Sequence, residues 1–506
     1  MNHLPVLPLL IPFLATLVLL VLPRIEMQRT IGLCACLLSL ATCLWLTLQV
    51  DDDVIRVYAL GNWSAPFGIV LVADRLSALM TLLSALLGTC CLIYACGGFD
   101  QRGRFFHALF QLQLLGLNGA FLTGDLFNLF VFFEIMLLAS YALLAQGGGL
   151  LRTRAGIAYV LLNLLGSSIF LIALGLLYGT LGTLNLADVA VRLAETQRND
   201  VPLRLALALL VSVFLLKAAL LPLSFWLPHT YSAAPAPVAA LFAIMTKVGI
   251  VVLLRVQVVA IAPTHPELLY GWLTILALAT LVFAVLGVLS AKNMKTLAAW
   301  LVLISAASLL LIPAQPHEAA SAAGLYYLVH STLAGAACFL LADMISRHRG
   351  LAKDTFVVSA SPFSPILGLS FLVLSISLAG LPPFSGFIGK LMLLTSLRET
   401  GFATAIWVSI LGSSFIVAIC LARAGSTLLW EKTVVRPSSE AAAPTSNFSH
   451  HAATAFLILA GPLLFVLAKP LTSFVQRTAT QLHTPANYIQ AVLGSDPASI
   501  QRMRRE

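Results

Sequence analysis

Charge is what this chain has least of. Only 10% of its 506 residues are Asp, Glu, Lys or Arg, against 60% hydrophobic, whereas a soluble protein carries roughly a quarter charged residues. That scarcity excludes a soluble globular fold. Metal-ligand spacing is missing too. The eight cysteines, Cys34, Cys36, Cys43, Cys90, Cys91, Cys96, Cys338 and Cys420, lie in apolar stretches with no CxxC or Cys/His pattern, so they read as packing residues and no metal or cofactor is expected. No glycine-rich phosphate loop occurs, which points to the proton-motive force rather than a nucleotide as the energy source. The net charge of +9 is scattered between apolar runs instead of gathered in a stripe with aromatics, so no nucleic-acid partner is expected. The N-terminus has no basic residue before its apolar run and no small-x-small cleavage site, and it carries Pro5, Pro8 and Pro12. Met1 to Pro23 therefore reads as a first membrane helix rather than a signal peptide.

What the chain has in abundance is apolar runs long enough to span lipid. About 20 apolar residues cross a hydrocarbon core of roughly 30 Å, and runs of that length recur from Leu4 to Phe474. Their boundaries predict an all-α polytopic protein of about fourteen transmembrane helices. The first seven fall near 4–23, 30–49, 73–96, 105–123, 126–146, 156–180 and 203–229, and the second seven near 236–260, 270–290, 295–313, 319–345, 365–395, 402–424 and 452–475. Odd-numbered loops hold fourteen Lys and Arg, even-numbered loops seven, and Asp51, Asp52 and Asp53 sit together in the second loop. The positive-inside rule then places the odd loops in the cytoplasm and both termini outside, although Arg477, Arg502, Arg504 and Arg505 in the tail pull the other way.

Two segments share a proline-broken helix followed by serine and phenylalanine: Leu221-Pro222-Leu223-Ser224-Phe225 and Leu381-Pro382-Pro383-Phe384-Ser385-Gly386-Phe387. Pro222 and Pro382 stand five predicted spans apart, so the second copy enters the membrane from the opposite side. That is the pattern of an inverted-topology repeat. The expected organisation is N-terminal helices over 1–100, one five-helix repeat over 101–262 (spans 4–8), and a second over 268–426 (spans 9–13). Spans 7 and 12 are broken at the prolines. A flexible loop at 427–451, a last helix at 452–475 and a tail at 476–506 complete it.

Once charges in loops and at helix ends are set aside, Glu134, Lys217, Lys247 and Lys390 remain deep in spans. Each costs roughly 2.5 to 3.5 kcal/mol at a helix centre, so the four together cost on the order of 10 kcal/mol. Pro222 and Pro382-Pro383 free the carbonyls of Ala218, Leu378 and Ala379 beside Lys217 and Lys390, and irregular backbone at membrane depth lines water or protein. His330 is the one histidine near the middle of a span, and either ring nitrogen can relay a proton. A row Glu134, Lys217, Lys247, His330, Lys390 at one depth would be a lateral proton relay, with Lys217 holding its proton while paired with Glu134. His229, after Pro228, is a candidate cytoplasmic proton entrance. Structural ion pairing is the competing account of the lysines, and Asp74, Arg75, Asp125 and Asp343 read as boundary residues. Lys469 reads as snorkelling from the end of the last span.

The residues around these charges resemble a known family. Phe133-Glu134-Ile135-Met136, Leu216-Lys217-Ala218-Ala219 with the run Leu221 to Val238, Met245-Thr246-Lys247-Val248-Gly249, and Leu381 to Lys390 are similar to the antiporter-like membrane subunits. These comprise the D subunits of multisubunit monovalent cation/proton antiporters and the proton-pumping subunits of respiratory complex I. Gly61-Asn62-Trp63-Ser64-Ala65-Pro66-Phe67-Gly68-Ile69 resembles the D subunit most. The resemblance implies a five-helix inverted repeat whose proton-relay positions are Glu134, Lys217, Lys247 and Lys390. It also implies a hetero-oligomer with other antiporter subunits in the bacterial inner membrane, exchanging protons for Na⁺ or K⁺. A pump subunit of a redox complex is the alternative it carries. The tenth span, Lys295 to Ser305, lacks the Ser-Gln-x-Gly common among relatives, which puts a polar contact from that span in doubt.

Overall fold

The computed structural model describes residues 3–63, 65–196, 200–315, 317–358, 364–430 and 447–494. The helices run in chain order as α1 (Leu7–Val21), α2 (Ile25–Gln49), α3 (Arg75–Ala95), α4 (Phe106–Leu122), α5 (Leu126–Ala145), α6 (Leu150–Leu181) and α7 (Leu186–Glu195). Next come α8 (Val201–Lys217), α9 (Trp226–Ala233), α10 (Ala236–Phe242), α11 (Met245–Val256), α12 (Trp272–Ser290), α13 (Met294–Ala314) and α14 (Glu318–Arg349). The last six are α15 (Pro365–Ala379), α16 (Ser385–Ser396), α17 (Ala403–Gly425), α18 (Phe448–Val466), α19 (Ala468–Leu482) and α20 (Pro485–Leu493). Polar residues fix where they start. Asp74, Asp125, Asn185, Asp200, Asn293 and Ser364 each accept a backbone N–H in the first turn of the helix that follows.

Among the described residues, eleven helical segments are long and apolar enough to cross a membrane. The other three expected spans are helical but short or interrupted: α4 has 17 residues, α8–α9 is broken around Pro222, and α15–α16 is broken around Pro382 and Pro383. The breaks satisfy their own backbone. Leu221 N–H donates to Thr280 Oγ1 at 3.0 Å, and the Leu216 carbonyl accepts the Trp226 indole N–H at 3.3 Å, as lipid-depth backbone requires.

Three features depart from the expectation. The second loop contains an antiparallel hairpin, β1 (Arg56–Ala59) with β2 (Val70–Ala73), so among the described residues the regular structure is helical apart from that pair. The last span, expected at 452–475, ends at Val466, and the chain turns at Leu467 into α19. That helix mixes Gln476, Arg477, Thr480 and Gln481 with Leu471 and Val475. Lys469 is exposed in the first turn of α19, three residues past the end of α18. The apolar run was continuous through Phe474, which hid the turn. Of the loop expected at 427–451, residues 431–446 lie outside the described residues, as do residues 495–506 of the tail; the rest of the tail carries the end of α19 and α20.

The interior is formed by α10–α11, α13 and α14, which are almost wholly enclosed by other helices, whereas α1, α2, α6 and α17 turn much of their surface outward. Lys247, Ser305 and His330 are therefore carried on the three most enclosed elements.

Candidate functional site

Glu134, on α5, accepts a short hydrogen bond from Ser167 Oγ of α6. One turn earlier on the same helix, Asn163 Oδ1 accepts from Lys217 Nζ at 2.9 Å, and Asn163 Nδ2 is anchored on the Tyr159 carbonyl at 2.8 Å. Residues four apart share a helix face, so α6 presents Asn163 and Ser167 together, one to the lysine and one to the glutamate. The direct Glu134–Lys217 ion pair expected from the sequence is replaced, among the described residues, by these two bonds, while Glu134 stays within electrostatic reach of Lys217. Lys217 also lies over the Phe133 ring, 6.0 Å from its centroid, and turns to Asn163 rather than to the carbonyl of Ala218.

Lys247 is 0% exposed and its ammonium donates to Ser305 Oγ at 2.8 Å. Ser305 in turn donates to the Val302 carbonyl at 2.7 Å. The doubt about a polar contact from the tenth span is thereby removed, because α13 supplies one through Ser305. Lys390 is held as the proline break predicts: its Nζ donates to the carbonyls of Leu378 at 3.3 Å and Ala379 at 2.9 Å, and to Ser414 Oγ at 2.9 Å. Gly380 makes room for it at φ +80°, where a Cβ would stand 2.8 Å from the lysine Cδ.

His330 Nδ1 is 2.8 Å from Ser385 Oγ, the serine of the second repeated motif. A cavity of about 20 Å³ joins Ser305, Tyr327, His330, Lys390 and Ser414. A volume of roughly 10 to 15 Å³ suffices for one water, and this cavity has the polar partners to hold it. The cavity thus connects the Lys247 partner to Lys390 with His330 on its wall.

Two wide vestibules open at the ends of the helices. His229 is exposed in a vestibule of about 570 Å³, with Arg154, Lys295, Asp354, Trp226 and Leu162 around it. Leu162 precedes Asn163, so α6 carries both a wall residue of this vestibule and the acceptor of Lys217. The second, about 710 Å³, is lined by His317, Met392, Thr395, Arg398, Glu399 and Gln476, and α16 leads from it toward Lys390. Burial pushes the imidazoles of His317 and His483 below their ordinary range, with Glu399 and Glu318 respectively pulling back.

Asp125 caps α5 as a boundary residue, while Asp74, Arg75 and Asp343 also enter ion pairs. Asp74 receives Arg255 at 2.7 and 2.9 Å, Arg75 pairs with Asp53, and Asp343 binds Tyr94 at 2.8 Å and Arg347 at 2.7 Å. The fold also gathers Cys96, Asp100 and His107 within 4.8 Å, a trio that spacing alone did not flag. Both Asp100 oxygens already accept from Arg29, at 2.6 and 2.8 Å, and one faces His107 at 3.1 Å. Burial opposes ionisation there, yet Arg29 and His107 together hold the Asp100 carboxyl below its ordinary value. A carboxylate so engaged serves an ion network rather than a metal.

Asn163, Ser167, Ser305 and Ser414 were not anticipated. They are uncharged, and a filter for buried charge passes over them. Ser385 alone carried a signal, as part of the repeated motif.

Residues 123–416 match the family described as NADH:quinone oxidoreductase/Mrp antiporter, TM. The chain is 38% identical to the D subunit of a probable K(+)/H(+) antiporter of Rhizobium meliloti (strain 1021), over 99% of both chains. It is 35% identical to the D subunit of a Na(+)/H(+) antiporter of Bacillus subtilis (strain 168), over 97% of this chain and 100% of that one. In three dimensions it is similar to a chain of the Mrp complex from Dietzia sp. DQ12-45-1b, with a TM-score of 0.86, 27% identity, and coverage of 98% of this chain and 100% of that one.

Proposed function

The chain belongs to the NADH:quinone oxidoreductase/Mrp antiporter transmembrane family, and from that premise we propose that it conducts protons along a buried line from Glu134 to Lys390. It is a multi-pass protein of the bacterial plasma membrane and works as one subunit of a hetero-oligomeric monovalent cation/proton antiporter. The transported cation is Na⁺ or K⁺. Fourteen spans, counting α4 and the two broken pairs, and two inverted five-helix units complete the reading.

The observation that carries it is the series of polar joints: Glu134–Ser167, Asn163–Lys217, Lys247–Ser305, the water-sized cavity, His330–Ser385 and Lys390 with its two carbonyls. Each ammonium donates to oxygen and, among the described residues, none is locked in a close pair with a carboxylate. An ammonium held only by neutral acceptors can give up its proton without abandoning a counter-charge. Protons enter from the cytoplasm through the His229 vestibule and cross α6 to Lys217. They pass by Lys247 and the cavity to Lys390, and leave through the vestibule of His317 and Glu399.

The decisive measurement is cation-dependent ΔpH in everted vesicles of an antiporter-deficient strain that expresses the whole partner set. Glu134→Ala and Lys217→Ala abolish it under this reading. Transport at the normal rate in either variant, with the complex assembled, would refute the relay.

A further inference from the structure

Arg255 lies in α11, buried, two turns beyond Lys247 on the same helix. Its Nη2 grips both oxygens of Asp74, the residue that caps α3. The Tyr488 ring of α20 covers it at 6.0 Å. Its Nη1 is buried and has no hydrogen-bond partner among the described residues. Beside the guanidinium lies a second cavity of about 20 Å³, whose wall includes Thr123, Gly124 and Asp125. Asp125 caps α5, the helix of Glu134, through Asn128 N–H at 2.8 Å. A cavity of that size takes one water, and Arg255 and Asp125 both line it.

We propose that Arg255 is a positioning residue shared between Asp74 and, across one water, Asp125, tying the Glu134 helix to the Lys247 helix and balancing the charge that Lys247 feels. The proposal rests on the relay reading above. While Asp74 holds Arg255, the two charges cancel at a distance. Should Arg255 swing to Asp125, α11 is drawn toward the N-terminus of α5 and away from α3. The single turn of wider helix at Gln257–Ile261 follows at once; turns of that kind mark places where a helix shifts register for function. The charged or titratable groups facing Arg255 are Asp74 from α3, Tyr488 from α20 and Asp125 from the start of α5. Lys247 itself meets the uncharged Ser305 of α13, and the nearest cation on a packed helix is Lys217 of α8, whose Cβ lies against Gly249 two residues along α11.

The distance along α11 sets the effect. Eight residues at 1.5 Å put the two cations about 12 Å apart, and at an effective dielectric near 20 an unbalanced charge at that range is worth about one pH unit. The test is the pH profile of cation-dependent ΔpH with the full complex in everted vesicles. Asp74→Asn leaves Arg255 unbalanced, so the basic limb of the profile moves about one unit lower; adding Arg255→Gln returns it. Asp125→Asn lowers the maximal rate about tenfold without moving the limb. An unmoved limb in assembled Asp74→Asn, or a normal rate in Asp125→Asn, overturns the proposal. If Asp74→Asn fails to assemble, the neutral pair Asp74→Asn with Arg255→Gln is read instead: slowed transport supports the proposal and a normal rate overturns it. Lys247→Ala runs alongside. Normal transport in that variant would fell the relay reading itself, whereas its loss together with an unmoved limb in Asp74→Asn fells this inference alone.

Discussion

Asn163 is the residue on which the Lys217 end of the line depends most, so Asn163→Ala is the sharpest perturbation. Lys217 is 5% exposed and Asn163 Oδ1, at 2.9 Å, is the hydrogen-bond acceptor of its ammonium. A hydrogen bond to a charged group is worth about 1.5 to 3 kcal/mol. Its loss at a site that little water reaches lowers the population of the protonated lysine by roughly 10- to 150-fold. Cation-dependent ΔpH, read by dye quenching in everted vesicles at matched complex content, should fall by at least about tenfold. Ser167→Ala gives the internal scale. It removes a neutral donor from Glu134, which is only half-buried, and a net loss of about 0.5 to 1.5 kcal/mol predicts a two- to tenfold effect. Asn163→Asp sets a carboxylate against the ammonium and should also slow transport, by holding the Lys217 proton in a close ion pair. A normal rate in assembled Asn163→Ala, or a smaller effect there than in Ser167→Ala, would refute the assignment of Asn163 as the acceptor that matters.

Two further outcomes follow from packing and protonation. A Cβ at Gly386 would stand 2.2 Å from the Ser377 carbonyl and 2.8 Å from His330 Nε2, so Gly386→Ala displaces α16 from His330, at a cost of about 1 to 3 kcal/mol. It should lose transport, while Gly412→Ala, with open space around it, should not; equal rates in the two would contradict the close approach. His483 lies 2.9 Å from Ser321, and burial depresses its imidazole below the ordinary value. The undocked chain therefore takes up the proton first as pH falls through about 6.5, and the docking of α19 weakens below that pH and is fully present above it. Amide protection over 468–482, corrected for the intrinsic pH dependence of exchange, should fall between pH 7.5 and 5.5 in the native chain and hold steady in His483→Gln.

How much of this was legible beforehand divides along a physical line. Desolvating a charge is so costly that Glu134, Lys217, Lys247 and Lys390 announce themselves in any apolar run, and proline removes a backbone donor wherever it stands. The cradle of Lys390 could accordingly be foreseen down to the carbonyls of Leu378 and Ala379, which it does bind. A neutral acceptor costs little to bury once it has a partner, so nothing in Leu161-Leu162-Asn163-Leu164 marks the asparagine that meets Lys217 54 positions later. Arg255 drew no notice for the converse reason. Near a span boundary a cation is cheap if water is at hand, and only the fold reveals that Asp74, 181 positions away, has taken the place of water. The turn at Leu467 and the amphipathic α19 were missed because hydropathy averages over a window, and a helix lying along the surface begins with the same apolar residues as one that crosses. The sequence alone therefore points to the ions, and the three-dimensional contacts supply the neutral partners that decide whether those ions can release a proton. Asn163, Ser305 and Ser414 rather than any described carboxylate hold the three lysines. A chain of static ion pairs would have been the more stable solution for three buried ammonium groups, and its absence among the described residues is the strongest structural argument that their protons are meant to move.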